Sequence, residues 1–436
     1  MADVQMKQMP ISPVIIAIAI AAIFASGTRA DDAPAAAWRV GTPIVTYWAG
    51  PGYPAAGALT DAAATQMADG GWNLVWCNEK ELDVAHRHGL RGLLNDPLLV
   101  PTALDDAKQR EALDALLDRV RRHPALYAYY VTDEPSAVAF PALGKFVAHL
   151  RERDPAHLAY INLFPTYANN DQLGIKGNPV EAYTEYLRQY VETVHPDLIS
   201  YDHYQFINSG DNPQYFLNLA LIRQRSLAAG LPFVNIVQAS SWVPGSAPHA
   251  PRVPGGDEMR FLIYTTLAYG GQGISYYVYS YPHHTGGIAL ADGTPTPTYH
   301  ALKSLNREFV AIAKELQPLT SLGISHTGMQ PPGVEPLAKE SAFHFDPPIP
   351  AMDYKPGGRV QGVLLSRFGL PDKGNSPGTH VLVVNLDYKA ERTVRVTGPA
   401  PLEVFDAVTG QWTPVGGMRV ELRLQGGGGK LVRVRP

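Results

Sequence analysis

The chain has 436 residues, enough for one large domain plus a smaller one, and its 45% apolar and 17% charged residues suit a large packed core rather than a disordered chain. A net charge of −4, with Lys and Arg spread along the sequence, lacks the basic footprint of a DNA or RNA binder. Cys77 is the only cysteine, which excludes an intrachain disulfide and any Cys-based zinc or iron–sulfur centre.

Residues 1–30 read as an export signal: Lys7, an apolar run from Val14 to Ala25, then small residues at Thr28 and Ala30. The run is shorter than the roughly 20 residues a bilayer span needs. The mature chain is therefore expected to be secreted or periplasmic, free of the membrane.

From residue 38 to 318 one rhythm repeats, a short apolar or β-branched run, a polar turn and a helix-period stretch. The strand-like runs are 43–47, 72–77, 91–94, 126–132, 158–163, 198–204, 233–237 and 274–279. Helical patterns fall at 107–122, 140–153, 180–193, 213–229, 258–269 and 302–316, with Asn178-Pro179 and Asn212-Pro213 as start signals and Gly89 and Gly230 as stops. Eight such units predict an α/β fold, a (β/α)8 TIM barrel with parallel strands. Over 319–436 short strands separated by Gly, Pro and Asp clusters predict a small all-β sandwich domain, with Gly426–Gly429 as a hairpin turn rather than a phosphate loop.

Such barrels carry chemistry at the C-terminal ends of their strands. Those ends here hold Tyr47 and Trp48, Asn78, Asp96, Asp133 and Glu134, Asn162, Asp202 with His203 and Tyr204, Gln238 followed by Trp242, and Tyr277 and Tyr279. A barrel built only for stability needs no acids at one rim. Adjacent acids at a water-poor mouth raise each other's proton affinity, which suits Glu134 to general-acid work. Neighbours on a strand point to opposite faces, so the second carboxylate is sought on another strand, at Asp202 first and Asp96 second. The aromatic side chains suit a carbohydrate, stacking on sugar faces. No cofactor is implied. A metal on Asp202 and His203, completed by Asp96, Asp133 or His283-His284, is a minor alternative, since no His-x-His follows the first strand.

Asp133-Glu134-Pro135 at the fourth strand resembles the Asn-Glu-Pro of clan A glycoside hydrolases, whose Glu is the acid/base. Residues 258–277 and Pro297-Thr298-Tyr299-His300-Ala301-Leu302 resemble the corresponding regions of family 42-like β-galactosidases, enzymes in which a trailing β-sandwich is also usual. The resemblance spans residues 40–317 and implies a glycoside hydrolase with Glu134 as proton donor. Two positions depart from it: Asp133 replaces the Asn, and the seventh strand offers Gln238 where the family places a nucleophilic Glu. An inverting enzyme with Asp202 as general base, Gln238 on the sugar and Asp133 tuning Glu134 follows as the expected mechanism. The alternative is a glycan-binding barrel that has lost catalysis. The oligomeric state is not legible.

Overall fold

The structure, a computed structural model, describes residues 39–243, 247–370 and 378–435. The expected export signal lies outside the described residues. Eight parallel strands form one sheet: β1 (Ile44–Trp48), β2 (Leu74–Cys77), β3 (Arg91–Leu94), β4 (Leu126–Asp133), β5 (Leu158–Leu163), β6 (Ile199–His203), β7 (Phe233–Gln238) and β8 (Gly273–Tyr277). They follow one another around the ring, and β8 pairs with β1. Between β1 and β2 the ring closes through Asn73, whose backbone N–H donates to Val45 O at 3.0 Å while its side-chain oxygen accepts from Val45 N at 3.0 Å.

Each strand is followed by a helix: α1 (Asp61–Gly70), α2 (Leu82–Arg87), α3 (Ala107–Val120), α4 (Phe140–Arg153), α5 (Pro179–Val194), α6 (Tyr215–Ala229), α7 (Gly256–Ala268) and α8 (Pro297–Leu316). Thr60, Asp106 and Asn178 cap α1, α3 and α5 through side-chain oxygens that accept backbone N–H groups left unpaired in the first turn. Gly230 ends α6 at φ 66°, a left-handed conformation that costs glycine little. The expected start at Asn212-Pro213 is displaced: Asn212 accepts from Gln214 N at 3.0 Å to form a turn, and α6 begins at Tyr215. The last helix gains a turn over expectation because Pro297 occupies its first position, where a missing N–H costs nothing. Helix α1, Ala-rich with a weak apolar stripe, was not among the expected helices, whereas α2, six residues long, ends just before the expected stop at Gly89.

The chain then forms β9 (Thr320–His326), β10 (His344–Phe345), β11 (Val363–Gly369), β12 (His380–Asn385), β13 (Arg392–Thr397), β14 (Leu402–Asp406), β15 (Gln411–Pro414), β16 (Arg419–Leu424) and β17 (Gly429–Val434). Six of these make an antiparallel sheet in the order β9-β11-β12-β17-β14-β15, and β10-β13-β16 make a second. Period-two side chains explain the layering. Val363, Leu365, Val381 and Val383 face the small sheet and share a core with Val394, Val396, Val420 and Leu422. The alternate Leu364, Leu382 and Val384 join the barrel core instead. The large sheet is thus buried on both faces. Gly426–Gly429 is not a hairpin turn: it carries the chain from β16 in one sheet to β17 in the other. It packs on the start of α7, where a Cβ on Gly427 would lie 2.6 Å from Asp257 O. Among the described residues no helix is long and apolar enough to cross a membrane.

Candidate active site

The mouth of the barrel takes its shape from an irregularity in β4. The pairing of β4 with β5 slips between Tyr130 and Thr132, after which Asp133 lies opposite Asn162. A bulge of this kind re-aims the side chains that follow it. Glu134 then leaves the strand at φ 45°, the left-handed region that side chains other than Gly, Asn and Asp seldom adopt. The surroundings fix this conformation: Glu134 N donates to Asn162 O at 2.9 Å, and the Tyr186 hydroxyl of α5 donates to Pro135 O at 2.7 Å. Slip and turn together bring Asp133 and Glu134 to the same mouth, whereas strict alternation along the strand would have separated them.

Three carboxyl groups converge there. Asn162 Nδ2 donates to Asp133 Oδ1 and to Asp202 Oδ1, both at 3.0 Å, and the carboxyl groups of Glu134 and Asp202 are in hydrogen-bonding contact. Such contact between two acids requires a shared proton. Burial, then the negative charge of Asp133, pushes Glu134 up to about 7. Asp202, 3% exposed, is held well above the carboxylate range by burial and by the charges of Glu134 and Asp133. Asp133 is open to solvent inside the cleft, but the surrounding walls still raise its proton affinity, opposed by the Asn162 hydrogen bond. Among the described residues, the groups that chiefly shift these three acids include no cation. The contact is closer than the separations of glycoside hydrolysis, about 5–5.5 Å for retention and about 6.5–9.5 Å for the expected inversion, and lies nearer to the first.

Aromatic rings form the facing wall. Tyr204 and Trp242 lie 4.5 Å apart between ring centres, Trp242 and Tyr277 4.9 Å, and Tyr204 and Tyr277 5.2 Å. His284 continues the wall, its Nε2 3.2 Å from the Tyr277 hydroxyl, and Tyr281 joins it to Tyr53. Beyond them Trp48 stands edge-on to Trp76 and Tyr130. Trp48, Asn162, Tyr204, Trp242 and Tyr277 thus stand at the same mouth as the three acids.

Other expected substrate contacts lie elsewhere. Tyr47 and Tyr279 are buried, with ring centres 5.0 Å apart. The Tyr279 hydroxyl accepts from Gln66 of α1, so both rings sit outside the strand ring against the helices. His203 also faces outward: its Nδ1 meets Asn218 Oδ1 of α6 at 2.9 Å, and burial lowers its pKa to about 4, leaving it neutral. Asp202 and His203 therefore point to opposite faces and cannot share an ion. Among the described residues no group of three or more His, Cys, Asp or Glu is placed to hold a metal. Asn78 caps the turn after β2 by accepting from Lys80 N and Glu81 N, and Asp96 accepts from Leu98 N at 2.9 Å in a local turn. Gln238 is fully engaged by backbone, accepting from Phe206 N and donating to the carbonyls of Phe206 and Arg252. Both amide hydrogens are thus spent on backbone, and the side chain is buried.

Tyr53 and Tyr281 were missed because they stand in loops rather than at strand ends, while His284, weighed as a metal ligand, stands in the aromatic wall instead. The signal of the two tyrosines is an aromatic ring beside Pro or Gly in Pro51-Gly52-Tyr53-Pro54 and Tyr281-Pro282.

No family model matches the chain, and no curated protein matches it in sequence. Among solved structures the chain is similar to a β-galactosidase from the psychrophilic Marinomonas ef1, at 12% identity over 63% of this chain and 60% of that one, with a TM-score of 0.44. A glucosidase from Croceicoccus marinus matches at 12% identity over 91% of this chain and 96% of that one, TM-score 0.43. Xylanase 10B from Thermotoga maritima matches at 12% identity over 62% and 96%, TM-score 0.39. This chain thus spans about three-fifths of the Marinomonas enzyme.

Proposed function

We propose that the protein is a glycoside hydrolase acting on an oligo- or polysaccharide, with Glu134 as proton donor and Asp202 as its partner. The observation that carries this reading is the proton-sharing contact of Glu134 and Asp202 at the C-terminal mouth of the barrel, opposite a wall of Tyr204, Trp242 and Tyr277. A sugar stacked on the rings would present its glycosidic oxygen to Glu134. Carboxyl groups in contact are nearer to the roughly 5–5.5 Å of a retaining pair than to the roughly 6.5–9.5 Å of an inverting one, so the reading favours double displacement. Glu134 gives its proton to the departing oxygen while Asp202 bonds to the anomeric carbon; water, deprotonated by Glu134, then breaks that bond and restores both acids.

The test is a panel of aryl glycosides and polysaccharides assayed for released sugar with the wild type, Glu134→Gln and Asp202→Asn. Turnover abolished by either change supports the reading; turnover indifferent to both removes it. Export rests on the leader-like residues 1–30 and is tested by N-terminal sequencing of the protein recovered outside the cytoplasm. The second reading is a barrel that binds glycans without cleaving them, with Gln238 in place of an acid on the seventh strand. Saturable glycan binding without turnover on any substrate would select it.

A further inference from the structure

Asn162 lies beside the carboxyl pair with every hydrogen-bonding atom of its amide used. Nδ2 donates to Asp133 and to Asp202, and Oδ1 accepts from Ser200 Oγ at 3.1 Å. Ser200 Oγ is in turn 2.7 Å from the Tyr160 hydroxyl. The result is a line of side chains across the interior from β4 through β5 to β6. An amide nitrogen donates and cannot accept, so both carboxyl oxygens it meets are acceptors.

We propose that Asn162 is a positioning residue that holds Asp133 and Asp202 as acceptors, so that the proton shared between Asp202 and Glu134 is offered by Glu134. Burial alone works the other way. Asp202 is almost completely buried and Glu134 only partly, so desolvation by itself would leave the proton on Asp202. The donated N–H opposes burial, favouring Asp202 as an anion and the proton on Glu134, the residue that faces the cleft. Around the pair stand Asp133 and the phenols Tyr160, Tyr167, Tyr183, Tyr186, Tyr204 and Tyr277, which burial keeps protonated through the neutral range. Asn162 is therefore the uncharged donor on which the distribution of that proton turns. The inference concerns the same site as the proposed hydrolase and needs that reading only for its catalytic consequence.

The experiment is a 13C titration of the Glu and Asp carboxyl carbons in the full chain, with Glu134→Gln and Asp202→Asn assigning the two signals. In Asn162→Ser the Asp202 midpoint is expected to rise and the Glu134 midpoint to fall, each by about one pH unit, a tenfold change in proton affinity. Asn162→Asp keeps the shape but replaces donor by acceptor, and both midpoints should then rise; it serves if the Ser variant does not fold. Unchanged midpoints in a folded variant overturn the inference whatever the activity. If the midpoints move but the wild type cleaves no glycan, the hydrolase reading fails and the role of Asn162 stands. If activity is present, the alkaline limb of its pH profile should follow the Glu134 midpoint.

Discussion

The side-chain amide of Gln238 holds Phe206 from both ends, Oε1 accepting its N–H and Nε2 donating to its carbonyl, each at 2.9 Å. The same Nε2 reaches Arg252 O, so one residue at the end of β7 ties down the loops after β6 and β7. Gln238→Glu, the change that would restore the acid expected at this strand, removes the donor and sets a carboxylate against two carbonyls. A buried group left unpaired costs about 1–3 kcal/mol. A lower melting temperature and no gain in turnover are expected. An active, equally stable Glu variant would show that the loops do not depend on this amide.

Glu134 sets the pH behaviour. As a proton donor raised to about 7, it should sustain activity below that pH and lose it above, giving an alkaline limb near neutrality. Glu134→Gln should cut turnover by about 10² to 10⁴ while leaving glycan binding intact. Stability follows the same sign. The folded chain holds this proton to higher pH than the unfolded chain, so ionisation costs stability progressively from the ordinary carboxylate range up to about pH 7. Allowing for partial solvent access, the cost is about 1–2 kcal/mol. Melting curves should show Glu134→Gln more stable than the wild type at pH 8 and indistinguishable from it near pH 4.

The proposed double displacement predicts retention. NMR of the first-formed sugar should show the anomeric configuration of the substrate, and Asp202→Asn should abolish the reaction. Inversion would mean that the pair opens to admit a water before chemistry.

Trp242 is half-buried in the wall and touches both Tyr204 and Tyr277. Trp242→Ala should weaken glycan binding by about tenfold, in line with the roughly 0.5–1.5 kcal/mol of an aromatic pair, while the melting temperature changes little. An unchanged KM would place the sugar elsewhere.

Ending the chain at Leu319 should yield an insoluble barrel, because the apolar surface now covered by Leu364, Leu382 and Val384 would meet water. Soluble expression of a fully active fragment would contradict this.

Much of the fold was legible because strand and helix periods and their caps are local properties. Asn178 and Gly230 mark the start of α5 and the end of α6 in the sequence as they do in space. The site was legible only in part, since standing at the end of a strand does not say which way a side chain points. Trp48 faces in and Tyr47, one residue earlier, faces out. The slip between Tyr130 and Thr132 shifts this parity, and nothing in the residue types announces it. Short polar side chains carry a second ambiguity: Asn78 and Asp96 could have reached a ligand, but the nearest backbone N–H groups claimed them first.

Strand β12 serves two neighbours by turns, Val381 and Val383 meeting the small sheet, Leu382 and Val384 the barrel. Loss or gain of one residue in this strand would exchange the two sets, pressing each against a surface shaped for the other. Substitutions among apolar residues should be tolerated here far better than a single-residue change in length. Drift in length among descendants of this sequence should therefore gather in the connections between strands.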